Sequence, residues 1–276
     1  MQESSSGAQR FERGILVRNM GPQADARTLR ECALLAEQAG LDHLWVVDHL
    51  AIPPDDAEGS GGRYLEPLTA LAWLAGATTR IGLGVGVLIA PYRPPLPTAK
   101  TIATLQELCG GRFQLGLGVG WMEAEFRALG IARGQRGALT DALLAFLHDC
   151  FANDIVTAHG QPFIFAPRPA RPPFLLGGTA DHAFPRIVRH GDGWMPMRAE
   201  PAALGAQIAD LRARMAAAGR PAPRVVPLTT LPLEDPVQAR ERLDALRASG
   251  VTGLVHAARY DSVAAFAAML ERWAGL

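Results

Sequence analysis

The chain has 276 residues, of which 49% are hydrophobic and 20% charged. That composition supports a sizeable core and argues against disorder. With 27 basic against 27 acidic residues, the zero net charge gives no footing for nucleic acid or an anionic membrane as partner.

The N-terminal stretch MQESSSGAQRFERG lacks the apolar centre of a signal peptide, and no run reaches the roughly 18 apolar residues of a membrane span. Apolar runs then alternate with helical patterns from end to end. In chain order the candidate strands are GILVRN (14–19), HLWVV (43–47), IGLGVGVLI (81–89) and FQLGLGV (113–119). PFLLG (173–177), GWMPM (193–197), RVVPLTT (224–230) and GLVHA (253–257) follow. Between them, Leu29, Ala33 and Ala36 mark a first amphipathic helix with Gly40 at its C-terminal cap position. The segment 137–151 repeats Leu139, Ala142, Leu143, Phe146, Leu147 and Cys150 at helical spacing. Asp235-Pro236 is a helix start, and Val263, Phe266, Leu270 and Trp273 form the last apolar stripe.

Strands alternating with helices predict a parallel sheet with crossovers. Eight of each within one domain length favour a closed (β/α)8 barrel spanning residues 1–276 as a single domain; an open doubly wound sheet is the rival. Two segments interrupt the rhythm. The loop 51–64, AIPPDDAEGSGGRY, is polar and rich in glycine and proline, and in a barrel it hangs over the C-terminal rim. The segment 153–173 holds two short strand-like pieces around HGQP, read as a small hairpin inserted before the fifth strand.

The string GLGVG occurs twice, at 82–86 and 116–120. Side chains alternate along a strand, so Gly82, Gly84 and Gly86 share one face, as do Gly116, Gly118 and Gly120. Three glycines on one face weaken a strand and call for a close approach. Either a flat ring lies on paired glycine faces, or neighbouring side chains fill them. A dinucleotide fingerprint is excluded, because GxGxG here lies inside a strand and does not open a helix.

Three stretches taken together resemble the bacterial luciferase-like superfamily, in particular its short deazaflavin-dependent branch. They are AEQAGLDHLWVVDHL, the long run from EPLTALAWLAG through RIGLGVGVLIAPYRPP to RFQLGLGVGWMEAEFRALG, and PPFLLGGTADHAFPRIVRHGDGWMP. They stand in family order across most of 31–197. The resemblance implies a (β/α)8 barrel with a flavin or a deazaflavin (coenzyme F-420) at the C-terminal ends of the strands. It implies a small-molecule substrate, a homodimer and, as partner, a separate cofactor reductase. It also implies a bulge with a non-proline cis peptide behind the ring, at the position of Gly86 and Val87; an ordinary β-bulge is the alternative.

Carried onto this chain, the resemblance makes His49 of WVVDHL a proton partner near the reacting carbon of the ring; otherwise it is a rim histidine bonded to backbone. Asp48, next to it, either joins the chemistry or anchors the loop 51–64. Val119, Gly120 and Trp121 would line the ring. Some family members carry a proton-donating acid where Trp121 stands, so this chain departs there. Glu123 and Glu125 are acids close by, and a helical face of solvated acids explains them as well. Gly177, Gly178 and Thr179 would bind the cofactor phosphate, since N–H groups at a helix N-terminus favour anions; a plain strand-to-helix turn is the other reading. Arg63, Arg93 and Arg168 are basic residues available to an acidic cofactor tail.

Chain length favours deazaflavin over FMN, and a flavin carrier without catalysis is the reading from another class. The remaining histidines show no HExxH spacing, so no metal is expected. The three separated cysteines, Cys32, Cys109 and Cys150, form no disulfide framework and point to the cytoplasm.

Overall fold

The computed structural model describes residues 10–197 and 200–276. From the N-terminus, strand β1 (Glu12–Leu16) leads to helix α1 (Ala26–Gln38), β2 (His43–Val46) to α2 (Pro67–Ala75), and β3 (Gly82–Ile89) to α3 (Pro95–Leu108). Next come β4 (Phe113–Gly118), the short α4 (Glu123–Ala128) and α5 (Arg136–Ala152). A hairpin, β5 (Ile155–Ala158) and β6 (Gln161–Ile164), precedes β7 (Phe174–Gly177) and α6 (Ala180–His190). Then follow β8 (Gly193–Met195), α7 (Pro201–Ala217), β9 (Arg224–Val225), β10 (Leu228–Thr229), α8 (Pro236–Ala248), β11 (Gly253–His256) and α9 (Val263–Gly275).

Local chemistry explains the boundaries. Asp25 caps α1 by accepting the Thr28 N–H, and Gly40 just past its end has φ +73°. Asp235 caps α8 through the N–H groups of Val237 and Gln238, with Pro236 in the first turn, as its sequence predicts. The hairpin is antiparallel and turns at His159 and Gly160, both at positive φ. That is the two-residue connection suited to twisted strands.

The remaining nine strands form one curled parallel sheet in the order β10-β11-β1-β2-β3-β4-β7-β8-β9. The strand expected over 224–230 is here two short pieces, β9 on β8 and β10 on β11. Pro227 separates them, and a proline has no N–H to give to a ladder. Its carbonyl still accepts from Val255 N–H, and Leu228 N–H reaches back to Pro196. Both ends of the sheet order therefore lie in 224–229.

Alternation along the strands sorts the apolar side chains into two cores. Ile15, Leu44, Val46, Leu83, Val85, Leu115, Leu117 and Phe174 pack outward against the helices. Leu16, Trp45, Leu175, Met195, Val226 and Val255 form a separate inner cluster. In α5 the buried face is Leu143, Leu144, Leu147, Cys150 and Phe151, while Leu139 is exposed, a modest rotation from the expected stripe. Cys32, Cys109 and Cys150 are free thiols, all buried under the outer layer. Among the described residues no helix is long and apolar enough to cross a membrane.

The glycine faces of β3 and β4 point into the inner cluster, and neighbouring side chains fill them. A Cβ at Gly84 would lie 2.3 Å from the Trp45 ring, and one at Gly82 would lie 2.1 Å from His43. At Gly118 it would meet Val87 at 2.5 Å, and at Gly116 the Val85 carbonyl at 2.3 Å. The idea of paired glycine faces as the floor of a flat ring site is thereby corrected. Glycine here makes room for Trp45, His43 and Val87.

Candidate active site

Strand β2 delivers two adjacent acid–base side chains that part company. Asp48 is buried, and its carboxylate takes both Arg93 guanidinium nitrogens, at 2.6 and 2.9 Å, together with the Ile89 N–H at 2.8 Å. Arg93 also reaches Glu66 at 2.9 Å, the residue that caps α2. A bidentate pair closed by a backbone bond leaves this carboxylate little capacity for anything else. Asp48 thus ties the end of β2 to the end of β3, an anchor and not a group facing a reactant.

His49 lies on the other side. Its Nδ1 is 2.8 Å from Glu125 Oε2, and its ring meets Tyr64 and Trp121 edge-on at centroid distances of 5.0 and 6.2 Å. Glu125 is completely buried and gathers four donors. Leu50 N–H and Ala51 N–H bond to Oε1 at 2.6 and 2.9 Å, while Tyr92 OH joins His49 at Oε2 at 3.0 Å. Burial opposes the charge on Glu125, yet the bonds from His49, Ala51 and Leu50 outweigh it and hold the carboxyl down at about 2. The same charge, after burial itself, pushes the Tyr92 hydroxyl above its ordinary value. A carboxylate against Nδ1 keeps the proton on that nitrogen and turns Nε2 outward as an acceptor. Nε2 has no protein partner among the described residues.

Trp121 is 64% exposed and joins this pair to a cavity of about 420 Å³. The cavity is lined by Val119, Gly120 and Trp121 on one side and by Gly178, Thr179 and His182 on the other, with Arg133 and Arg136 on its wall. Gly120 has φ +78°, and a Cβ there would press on Ile89 and Phe126, so glycine is required at this bend. Thr179 is the N-cap residue of α6, and its hydroxyl is engaged with His182 Nδ1 at 3.1 Å. The N-terminal N–H groups of α6 therefore face a cavity whose wall is basic, the electrostatics that suit a phosphate. Gly177 is set back from it, its Cβ position 3.3 Å from Val87.

Around the mouth of the sheet the inner cluster continues into Met20, Val47, Val87, Leu228 and Ala257, all partly buried. The peptide between Gly86 and Val87 is cis, and the β3–β4 register shifts between Val85 and Leu88. These are the features the resemblance implies at that position. The loop 51–64 returns over the mouth at Tyr64, which bridges to Met20.

The structure brings His49, Val119, Gly120, Trp121, Gly178 and Thr179 around one connected region. Of the three arginines considered for an acidic tail, Arg93 is held by Asp48 and Glu66, Arg63 donates to the Ala24 carbonyl, and Arg168 makes a surface pair with Asp154. Reasoning from the sequence noted Glu125 only as a nearby acid, without a role, and missed Arg133 and Arg136. For Glu125 a signal existed, because it shares the i, i+3, i+4, i+7 stripe with Met122, Phe126 and Leu129. An acid in an apolar stripe is buried or at an interface, whereas Glu123, off the stripe, is exposed.

The curled parallel sheet, with the His49–Glu125 pair and the cavity at the start of α6 beyond its strand ends, has the fold of luciferase-like proteins. The chain belongs to that family: the luciferase-like monooxygenase model matches residues 11–275. It is 28% identical over 239 residues to an uncharacterised protein of Mycobacterium tuberculosis (strain ATCC 25618 / H37Rv), covering 79% of this chain and 82% of that one. It is 26% identical over 198 residues to an FMNH(2)-dependent dimethylsulfone monooxygenase of Pseudomonas fluorescens (strain Pf0-1), covering 68% of this chain and 52% of the relative. Among solved structures, an F420-dependent secondary alcohol dehydrogenase in complex with an F420-acetone adduct shares the fold with a TM-score of 0.77. Its identity is 15%, with 96% of this chain and 99% of that chain covered. Family members are enzymes, and both F420- and FMN-dependent proteins stand among these neighbours.

Proposed function

We propose that the protein is an oxidoreductase that works with a deazaflavin coenzyme of the F-420 type on a small organic substrate. The scaffold is then a closed (β/α)8 barrel in which 224–229 counts as one strand interrupted at Pro227. The observation that carries the proposal is the His49–Glu125 pair, continuous through Trp121 with a basic phosphate cradle at the start of α6. The cradle suits a phosphorylated flavin or deazaflavin: it offers helix N–H groups, Arg133 and Arg136, and Gly178 without a side chain.

In this reading Gly178, Thr179, Arg133 and Arg136 hold the phosphate, with Gly177 setting the turn. Val119, Gly120 and Trp121 border the ring on one side, and Gly86 and Val87 back it. When bound, a deazaflavin supplies a hydride couple, whereas FMN also activates oxygen. His49 Nε2 exchanges the proton that accompanies the redox change, and Glu125 keeps the ring in the tautomer able to do so. Asp48 positions β3 and does no chemistry. Length alone does not choose the coenzyme, since this chain matches both the F420-dependent dehydrogenase and a Baeyer-Villiger monooxygenase in complex with FMN nearly end to end. A homodimer, a cytoplasmic location and, with FMN, a separate reductase belong to the same proposal.

Fluorescence titration of the protein with F-420 and with FMN tests it. F-420 should bind at least roughly tenfold more tightly than FMN. His49→Ala should lower turnover about 10²- to 10⁴-fold while leaving coenzyme affinity nearly unchanged. Tight FMN binding without a deazaflavin response moves the protein to the oxygen-using branch. Binding of F-420 without turnover of any substrate marks a carrier, and no response to either ring ends the proposal.

A further inference from the structure

Two arginines at the rim are not used by this reading. Arg18 follows β1 and Arg259 follows β11; these strands are neighbours in the sheet and remote in strand order from β7, which leads into α6. Arg18 is only 6% exposed, yet its Nε has no hydrogen-bond partner. Its remaining contacts are weak for a buried cation: Nη1 donates to the Tyr260 carbonyl at 3.3 Å, and the guanidinium lies 6.0 Å from the Tyr260 ring centre. Among the described residues neither Arg18 nor Arg259 has a carboxylate within ion-pair distance. Both line one cavity of about 480 Å³, shared with Gln23, Gly59, Asp261 and Ala265. Arg259 lies over Gly59, where a Cβ would come within 3.2 Å of its guanidinium. Asp261, also on the lining, makes no ion pair with either arginine among the described residues, and its Oδ1 accepts from the Ser262 hydroxyl.

A guanidinium taken out of water without a counter-charge is costly, and buried charges are ordinarily paired. A planar fork with free N–H groups matches an oxyanion. We propose that Arg18 and Arg259 form a second anion site, for a phosphate or carboxylate group, distinct from the cradle at α6. Arg18 supplies the buried donor and Arg259 closes over the anion from the rim. Its occupant is an acidic group carried by the substrate or by the coenzyme tail. The proposal does not depend on which coenzyme the protein uses.

Calorimetric titration with inorganic phosphate provides the test, in an Arg133→Ala/Arg136→Ala background that removes the basic wall of the α6 cradle. A saturable isotherm should remain there, and adding Arg259→Met or Arg18→Met should weaken it by roughly tenfold or more. If no isotherm remains, or neither substitution moves it, the second site does not exist. Arg18→Met can disturb folding, which circular dichroism will show; the exposed Arg259→Met then decides alone. The single Arg259→Met variant is next titrated with F-420 and with its deazaflavin core lacking phosphate and tail. A loss relative to wild type confined to the full coenzyme assigns the site to the tail, and wild-type affinity retained for each assigns it to an anionic substrate.

Discussion

Glu125→Gln should cut turnover by about 10²- to 10⁴-fold while the protein still folds, because it reverses the histidine rather than removing it. The amide oxygen can go on accepting from Leu50 and Ala51 N–H, but its NH2 then faces His49 Nδ1. Nδ1 must become the acceptor, and the ring proton moves to Nε2, the wrong nitrogen for accepting one. Folding should weaken by about 1–3 kcal/mol. Glu125→Ala, which strands two buried N–H groups and the Tyr92 hydroxyl, should cost about 3–5 kcal/mol. The pH dependence supplies a sign. The folded carboxyl lies at about 2 against an ordinary 4.5, so its contribution is full above about 4.5 and fades as pH falls toward 2. The stability gap between wild type and Glu125→Gln, read from urea melts, should therefore narrow across that window. His43 and His256, held neutral by burial with values near 4, lose their contributions below about 6.5 in both proteins and cancel in the difference. Turnover within a few-fold of wild type would show that Glu125 does not govern the ring.

Gly116→Ala is the second large effect. The added methyl would stand 2.3 Å from the Val85 carbonyl oxygen and 3.2 Å from both Met195 and Val87. The first contact is backbone in the paired strand β3, so no rotamer change relieves it. The expected loss is about 3 kcal/mol or more. Gly134→Ala, with nothing within 4 Å of its Cβ, should stay within about 0.5 kcal/mol. Urea midpoints of the two variants make the comparison. Equal midpoints would mean that β3 and β4 can separate without penalty, contrary to their packing.

The alternation of strand and helix was legible because each strand is a short apolar run between helix signals, and these are written in residues such as Gly40 and Asp235. The hairpin was legible from HGQP, since only a tight turn connects such short pieces. Strand ends were less so. The runs ending at Asn19 and Met197 continue past the last ladder residues, Leu16 and Met195, because the chain stays extended and largely buried where the sheet opens into the mouth. The glycine pattern announced crowding but not its source; that Trp45 fills the space is a fact of three dimensions. At the site, His49 and Gly178 were named through the family resemblance carried onto WVVDHL and LLGGTADHAF, whereas Arg133 and Arg136 lie on a connection with no motif and matter only by facing α6 across a gap. For Asp48 the sequence left chemistry and anchoring both open, and the choice rests on Arg93 and the Ile89 N–H, partners that strand alternation allows but does not name.

The buried thiols have a practical consequence. Cys32 on α1 and Cys150 on α5 are raised to about 11 by burial, and Cys109 donates weakly to Gln106 at the end of α3. A thiol both shielded and protonated does not meet an alkylating reagent until its surroundings part. Each cysteine is thus a built-in clock for the opening of its own helix, readable by mass spectrometry without introducing a label.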